Sequence, residues 1–547
     1  MTYTPTSPTS DAIAAVEKLQ SLKAAELPIP EPIDGSCYIL NGKLIRWEGN
    51  ILDVESCVCT NEGGEQKRVK LGTIHQIDKA TALKLVDSAY DAFDLGRGAW
   101  PCTTVAGRIK ATENFLYEMI KVREQVVVSL MWEIGKTRKD SENEFDRTVT
   151  YIRETINAVR ARNNADASFL TAEGHVAQVR RSPLGVVLSM GPFNYPLNET
   201  FTTLLPAVIM GNTAVVKLPR HGALCIVPMM KAFATCFPPG VVNMFNGRGV
   251  ETAGPILETG KLSSLAFIGS SGAANRLRVQ HPKPSRMRCT LGLDAKNAAI
   301  VLKDADLDIA VSQVLSGSLS FNGQRCTAIK IVFVQKEVAA EFVSKLAEAV
   351  DNMKIGLPWE SGVALCPLPE VNKVKTLQGF VDDAIDNGAK VVNQNGGLTS
   401  ETFYFPSVVY PVNASMRLWT EEQFGPIVPV ASFSLVEDVI SYIAESSYGQ
   451  QVSVFGQDPR VVGPLCDILV NQVCRVNLNG PCKRGPDVFP FTARKDSAEG
   501  TLDIESAIRA FSIRTMVAAP INDLNRKLIS AVIAERSSQF LNNDVLF

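Results

Sequence analysis

Between residues 79 and 161 apolar positions recur about every three or four residues, the period of amphipathic helices. The stretches 80–93, 104–123, 126–136 and 141–159 each carry such a stripe. The pattern before them is different: 36–40, 44–47 and 50–58 are short strand-like runs between polar turns, which reads as an antiparallel edge layer. After them, apolar runs of about five residues alternate with helical ones. Strands are expected at 177–181 and 185–190 around a turn at Pro183, then at 213–218, 241–245 and 264–268. Helices are expected to begin at 201 and to span 221–237 and 251–259. This alternation predicts a doubly wound parallel sheet. Such sheets bind ligands beyond the carboxyl ends of their strands, where Asn194, Lys217, Gly247 and Gly269 fall.

A second alternation runs from the strand 298–302 and the helix 307–318, through a loop carrying Cys326, to a final strand at 475–477. The chain is therefore read as α/β, with a Rossmann-type cofactor-binding domain over 35–292 and a second, catalytic α/β domain over 293–500. The catalytic cleft is expected between them. Residues 1–34, rich in Pro, Ser, Thr and Ala, read as an N-terminal extension, with a helical run at 14–25. Residues 501–520 form a further segment, and 521–547 a tail with an amphipathic run at 522–538.

Composition narrows the functional classes. Among 547 residues, a net charge of −2 gives no electrostatic reason to bind nucleic acid or an anionic membrane. No apolar run is long enough for a transmembrane helix, and the start lacks the pattern of a secretory signal. The 12 cysteines are scattered, and Cys57 and Cys59 find no second pair to complete a zinc set. None of the four histidines has metal-ligand spacing. Free thiols in a reducing, cytoplasmic compartment are the simplest account, with no metal.

Candidate chemistry centres on Phe321-Asn322-Gly323-Gln324-Arg325-Cys326-Thr327. Arg325 would lower the thiol pKa, and Gly323 lets the backbone turn closely around a bound group. By itself Cys326 reads more readily as a small buried hydrophobe than as a nucleophile. A thiolate attacking a carbonyl needs fixed donors for the oxyanion. The Asn194 amide, held between Pro192 and Pro196, and the Cys326 backbone N–H would supply them. Lys217 at a strand end suits a ribose or phosphate, and Gly269-Ser270 opening a helix would place backbone donors near a pyrophosphate.

Six ordered blocks give the chain a resemblance to the aldehyde dehydrogenase superfamily over roughly residues 36–520, and within it to the non-phosphorylating glyceraldehyde-3-phosphate dehydrogenases. They are Gly191-Pro192-Phe193-Asn194-Tyr195-Pro196, Lys217, Gly269-Ser270, Gly323-Gln324-Arg325-Cys326-Thr327, Glu422-Gln423-Phe424-Gly425-Pro426, and Lys483-Arg484-Gly485-Pro486-Asp487 leading to Phe489-Pro490-Phe491. The resemblance implies that Cys326 is the nucleophile and Asn194 the oxyanion donor. It implies that Glu422 and Phe424 hold the nicotinamide ribose and ring, and that Lys217 contacts the adenosine ribose. Arg220 stands where NAD-selective relatives commonly carry an acid, and a cation there favours the 2′-phosphate of NADP, with NAD possible. Arg147, Arg325, Arg484 and the Tyr195 hydroxyl correspond to the family's substrate-phosphate set. Segments 168–182 and 508–518 resemble arms that cross subunit interfaces, implying a homotetramer built as a dimer of dimers.

Two positions depart from the pattern. Ala274 stands where relatives often have glycine in the cofactor helix. Gly292 occupies the place of the glutamate that serves as general base, and the nearest carboxylate, Asp294, lies two residues on. Asp294 is the candidate base, with Glu422 the alternative for activating water. The function so implied is oxidation of D-glyceraldehyde 3-phosphate to 3-phosphoglycerate with NADP, through a cysteine thiohemiacetal and thioester and without inorganic phosphate. The alternatives are a dehydrogenase for another small phosphorylated or acidic aldehyde, a coenzyme A-acylating enzyme, and a catalytically reduced structural homologue.

Overall fold

The strand Val186–Met190 lies in the middle of an eight-stranded sheet, buried along nearly its whole length between helices. The computed structural model describes residues 7–547, so residues 1–6 of the expected N-terminal extension lie outside the described residues. In the sheet, Arg288–Gly292, Leu262–Ile268, Val186–Met190, Thr213–Lys217 and Val242–Phe245 are neighbours in that order, all parallel. The chain thus winds one way from Val186–Met190 and then returns to its other side at Leu262–Ile268. The crevice between their carboxyl ends is the topological switch point, where such sheets bind ligands. Gly191 and Gly269 leave the sheet there.

A second sheet of seven strands holds Asn297–Val301 and Ile329–Gln335 side by side at its centre, with Ile427–Phe433 and Gln451–Phe455 flanking them. Cys326 lies just before Ile329–Gln335. Buried residues from the helices Val105–Lys121, Arg123–Ile134, Arg138–Ala165 and Asn198–Ile209 join residues of this second sheet in one continuous core. Packing of that core therefore fixes the Cys326 loop against the first sheet.

Three local expectations are corrected. The edge layer expected at 36–58 is split. Cys37–Leu40 and Lys43–Arg46 extend the eight-stranded sheet, whereas Ile51–Glu62 pairs with Glu65–His75 in a separate sheet. The helix expected over 221–237 begins only with the turn Val227–Met229 and continues as Met230–Cys236. Residues 222–224 are held otherwise: Gly222 has φ +79°, and the Glu133 carboxylate accepts the N–H groups of Gly222, Ala223 and Leu224. The helix near the N-terminus spans Ser10–Ser21 and docks on the core through Val16 and Leu19.

Phe169–Ala172, His175–Pro183 and Ser512–Pro520 form a separate antiparallel sheet. The tail helix Asp523–Ala534 buries no residue, and the chain end returns to Arg180 and Asn164 through Asn542 and Leu546. Among the described residues no helix is long and apolar enough to cross a membrane.

Candidate active site

A cleft of about 720 Å3 opens at the switch point of the first sheet and reaches the Cys326 loop. Asn194, Tyr195, Lys217, Arg220, Gly269, Ser270, Asp294, Cys326, Glu422, Phe424, Arg147, Arg325 and Arg484 all line it. Gly247 does not. It is a packing glycine, where a Cβ would come within 2.8 Å of the Thr252 side chain.

The cysteine loop is shaped by three consecutive residues with left-handed backbone, Phe321, Asn322 and Gly323. A Cβ on Gly323 would lie 2.6 Å from the Gly425 carbonyl oxygen, so only glycine fits. The carbonyl of Cys326 accepts from Asn297 Nδ2 at 2.9 Å and from Lys330 Nζ at 2.9 Å. Burial pushes the Cys326 thiol up, as does the Glu199 carboxylate, while Lys330 and Arg484 pull it down. The expectation for Arg325 is corrected here. Its guanidinium turns back onto the carbonyls of Ser316, Gly317 and Ser320, at 3.2, 2.7 and 3.2 Å, and Lys330 is the leading cation at the thiol.

Asn194 Nδ2 donates to the Gln324 carbonyl at 2.8 Å, which ties the aromatic loop to the cysteine loop. A side-chain amide has two donor hydrogens, so one remains for a substrate oxygen. Behind Asn194, Lys136 and Glu144 form a fully buried ion pair. Lys136 donates to the Asn194 carbonyl at 2.8 Å and lies 3.6 Å from the Tyr195 ring centre. Glu144 accepts from the backbone N–H groups of Leu197 and Asn198, both at 3.1 Å, at the start of Asn198–Ile209.

On the cofactor wall, Lys217 donates to the Leu218 carbonyl at 3.1 Å and has no carboxylate partner among the described residues. Burial pulls its pKa down to about 8. Arg220 is exposed and forms no ion pair among the described residues. An ammonium short of acceptors beside an unpaired guanidinium is a donor set that fits hydroxyl and phosphate groups. Glu422 is raised by burial, and Lys330 at 2.9 Å works against that. Phe424 sits edge-to-face on Phe193 with ring centres 5.8 Å apart.

Asp294, the expected base, has another engagement. Its Oδ2 accepts from Ser271 N at 2.8 Å and Ser271 Oγ at 2.9 Å, at the start of the helix Ser271–Gln280. The carboxylate is a helix cap, stabilised by the positive end of the helix dipole. Two of the expected phosphate arginines are also paired. Arg147 holds Asp487 through two bonds of 3.0 and 2.7 Å, and Arg484 pairs with Glu199 and, at 3.4 Å, with Asp487.

Lys136, Glu144, Glu199, Asn297, Lys330 and Asp487 had not been singled out. Two of them carry a sequence signal: Lys330 is a lone charge in the apolar strand Ile329–Gln335, and Glu199 a lone acid in the otherwise uncharged helix Asn198–Ile209.

This arrangement has known counterparts. The model of the aldehyde dehydrogenase family matches residues 64–517. An NADP-dependent glyceraldehyde-3-phosphate dehydrogenase of Streptococcus equinus is 32% identical over 435 residues, covering 78% of this chain and 89% of that one. A 3-sulfolactaldehyde dehydrogenase of Priestia aryabhattai is 28% identical over 344 residues, covering 62% and 71%. The crystal structure of the NADP-dependent glyceraldehyde-3-phosphate dehydrogenase of Bacillus halodurans C-125 complexed with NADP superposes with a TM-score of 0.81 at 28% identity, over 89% of this chain and 100% of that one. With two packed α/β sheets, a cysteine loop at their junction and a match over most of its length, the chain belongs to the aldehyde dehydrogenase family.

Proposed function

We propose that the protein oxidises glyceraldehyde 3-phosphate to 3-phosphoglycerate with NADP, using Cys326 as nucleophile. The observation that carries this reading is the position of Cys326 and Asn194 in one cleft lined also by Arg147, Arg325 and Arg484. The Cys326 sulfur adds to the aldehyde carbon, and the oxygen that gains charge takes the remaining Asn194 N–H. A nicotinamide cofactor, when bound, would supply the hydride acceptor. Lys217 and Arg220 would hold its adenosine ribose and 2′-phosphate, and Glu422 and Phe424 its nicotinamide end. The resulting thioester is hydrolysed by water. The names of the Streptococcus equinus and Bacillus halodurans relatives support both substrate and cofactor. In the same reading, the sheet ending in Ser512–Pro520, with Ile513, Met516 and Val517 exposed, is a subunit-interface arm of a homotetramer.

One observation favours a second reading. Of the three arginines only Arg325 has no carboxylate partner among the described residues. That suits a monoanionic group, such as a sulfonate, better than a phosphate dianion. The test is reduction of NADP by purified protein with glyceraldehyde 3-phosphate, without inorganic phosphate or coenzyme A, with 3-phosphoglycerate identified as product. Loss of activity in Cys326→Ala is expected. Absence of reduction by the folded wild-type protein overturns the reading, and faster turnover of 3-sulfolactaldehyde moves it to the sulfonate.

A further inference from the structure

Gly292 leaves the reaction without a carboxylate at the position where the family pattern supplies one. Beside the main cleft lies a second, small cavity of about 20 Å3, bounded by Cys326, Gly292, Glu199, Gln450 and Thr492 among others. A cavity of roughly 10–15 Å3 is enough for one water molecule, provided that 2–4 polar groups face it. Glu199, Gln450 and Thr492 are such groups. Glu199 is the only carboxylate among the described residues bounding this cavity, and it also lines the main cleft. Both spaces that Cys326 touches therefore meet at Glu199.

The side chain is built for a fixed position. Glu199 occupies the first turn of Asn198–Ile209, whose residues are all buried. One oxygen, Oε2, pairs with Arg484, itself stacked on Phe491 at 4.5 Å. The other, Oε1, accepts no hydrogen bond among the described residues. After burial, the Glu199 charge is the strongest influence on the Cys326 thiol. Asp294 and Glu422, like Glu199, each hold their partners through one oxygen, but neither bounds the small cavity.

We propose that Glu199 is the general base for hydrolysis of the acyl-enzyme, and that the small cavity seats the attacking water. The inference rests on the thioester chemistry proposed above. Glu199 Oε1 takes a proton as the water oxygen bonds to the acyl carbon, and the Asn194 amide faces the oxyanion. The carbon–sulfur bond then breaks and its electron pair returns to sulfur. The acid leaves, and the proton held by Glu199 passes to the thiolate or to solvent. No oxidant takes part in this step, since hydrolysis of a thioester changes no oxidation state.

The test uses the full-length protein with NADP and glyceraldehyde 3-phosphate, comparing wild type with Glu199→Gln, which keeps the shape and a hydrogen bond to Arg484. A burst of about one reduced cofactor per subunit is expected in the variant. Steady-state turnover should then fall at least about 100-fold, and intact-mass spectrometry should find the acyl group on Cys326. If Glu199→Gln is insoluble, Glu199→Asp is read the same way, as a slowed second phase with adduct. Wild-type turnover in the variant overturns the proposal. So does a higher KM without adduct, which assigns Glu199 to holding Arg484, or accumulation of adduct in Asp294→Asn, which moves the base there. Absence of NADP reduction by the folded wild type, or full activity in Cys326→Ala, overturns the thioester reading itself.

Discussion

Lys330 and Glu422 form a buried ion pair, with 2.9 Å between Nζ and Oε1. The same ammonium donates to the carbonyl oxygens of Arg325 and Cys326, at 2.8 and 2.9 Å. One cation thus joins the cysteine loop to the proposed nicotinamide-ribose contact. Breaking a buried pair from one side leaves the other charge uncompensated, at about 3–5 kcal/mol. Lys330→Met is therefore expected to lower the unfolding free energy by that order, read from the shift of its urea denaturation midpoint. It also removes a cation that favours the thiolate, so alkylation of Cys326 by iodoacetamide at pH 8 should slow. Unchanged alkylation in a folded variant would mean that Lys330 holds the loop without acting on the thiol.

The loop itself offers a contrast between two glycines. Gly323 has φ +69° and no room for a Cβ, so Gly323→Ala should cost roughly 1–3 kcal/mol and displace Cys326. Gly379 lies inside the helix Lys373–Asp386 with nothing within 4 Å of a Cβ. Gly379→Ala should instead stabilise by about 0.5–1 kcal/mol. Thermal melts with Cys326 alkylation check both. Equal shifts in the two variants would remove the special role given to Gly323.

His75 gives the fold a dependence on acid. Burial holds its pKa down at about 4, and its two ring nitrogens meet the Gly35 carbonyl at 2.8 Å and the Asn246 N–H at 2.7 Å. In the unfolded chain an imidazole titrates near its ordinary value of about 6.5. Between these values the unfolded state binds the extra proton, so the stability present above about 6.5 is lost as the pH falls toward 4. For His75 this is on the order of 2 kcal/mol at pH 5. Urea titrations at pH 7.5 and pH 5 should show His75→Gln losing less stability across that interval than wild type. An identical loss would place the acid sensitivity elsewhere, His221 being the next buried imidazole held near 4.

The parts of the site that were legible in the sequence are those fixed by local pattern. Alternation of apolar strands and helices placed Lys217 and Gly269 at strand ends, and the six blocks brought Cys326 and Asn194 into one cleft. What the sequence hid depends on contacts between distant segments. Arg325 looked like the thiol's cation because it is adjacent, but chain direction turns its guanidinium toward residues 316–320. Lys330, four residues after the cysteine, reaches the loop because its carbonyls fold back over the strand start. Asp294 matched the alternation of an extended segment, yet the start of Ser271–Gln280 lies closer and supplies two donors. Arg147 and Asp487 are 340 residues apart, and no local pattern announces their pairing.

In the proposed function, cofactor choice turns on two cations of different character. Lys217 is held near pKa 8 by burial, so in the free protein its charge is present below that value and lost above it. Binding that uses the ammonium should therefore weaken as the pH rises from 7 to 9. Arg220 presents a guanidinium instead. Its attraction for a 2′-phosphate is direct, and an acid at the same place would repel that phosphate. Arg220→Asp is thus expected to weaken NADP by at least tenfold and NAD by much less. Lys217→Met should weaken both and flatten the pH dependence. Calorimetric titration of the two dinucleotides into each folded variant separates these roles. Equal loss of NADP and NAD in Arg220→Asp would show that the guanidinium steers dinucleotides in general, and any preference for NADP would then have to come from another part of the cleft.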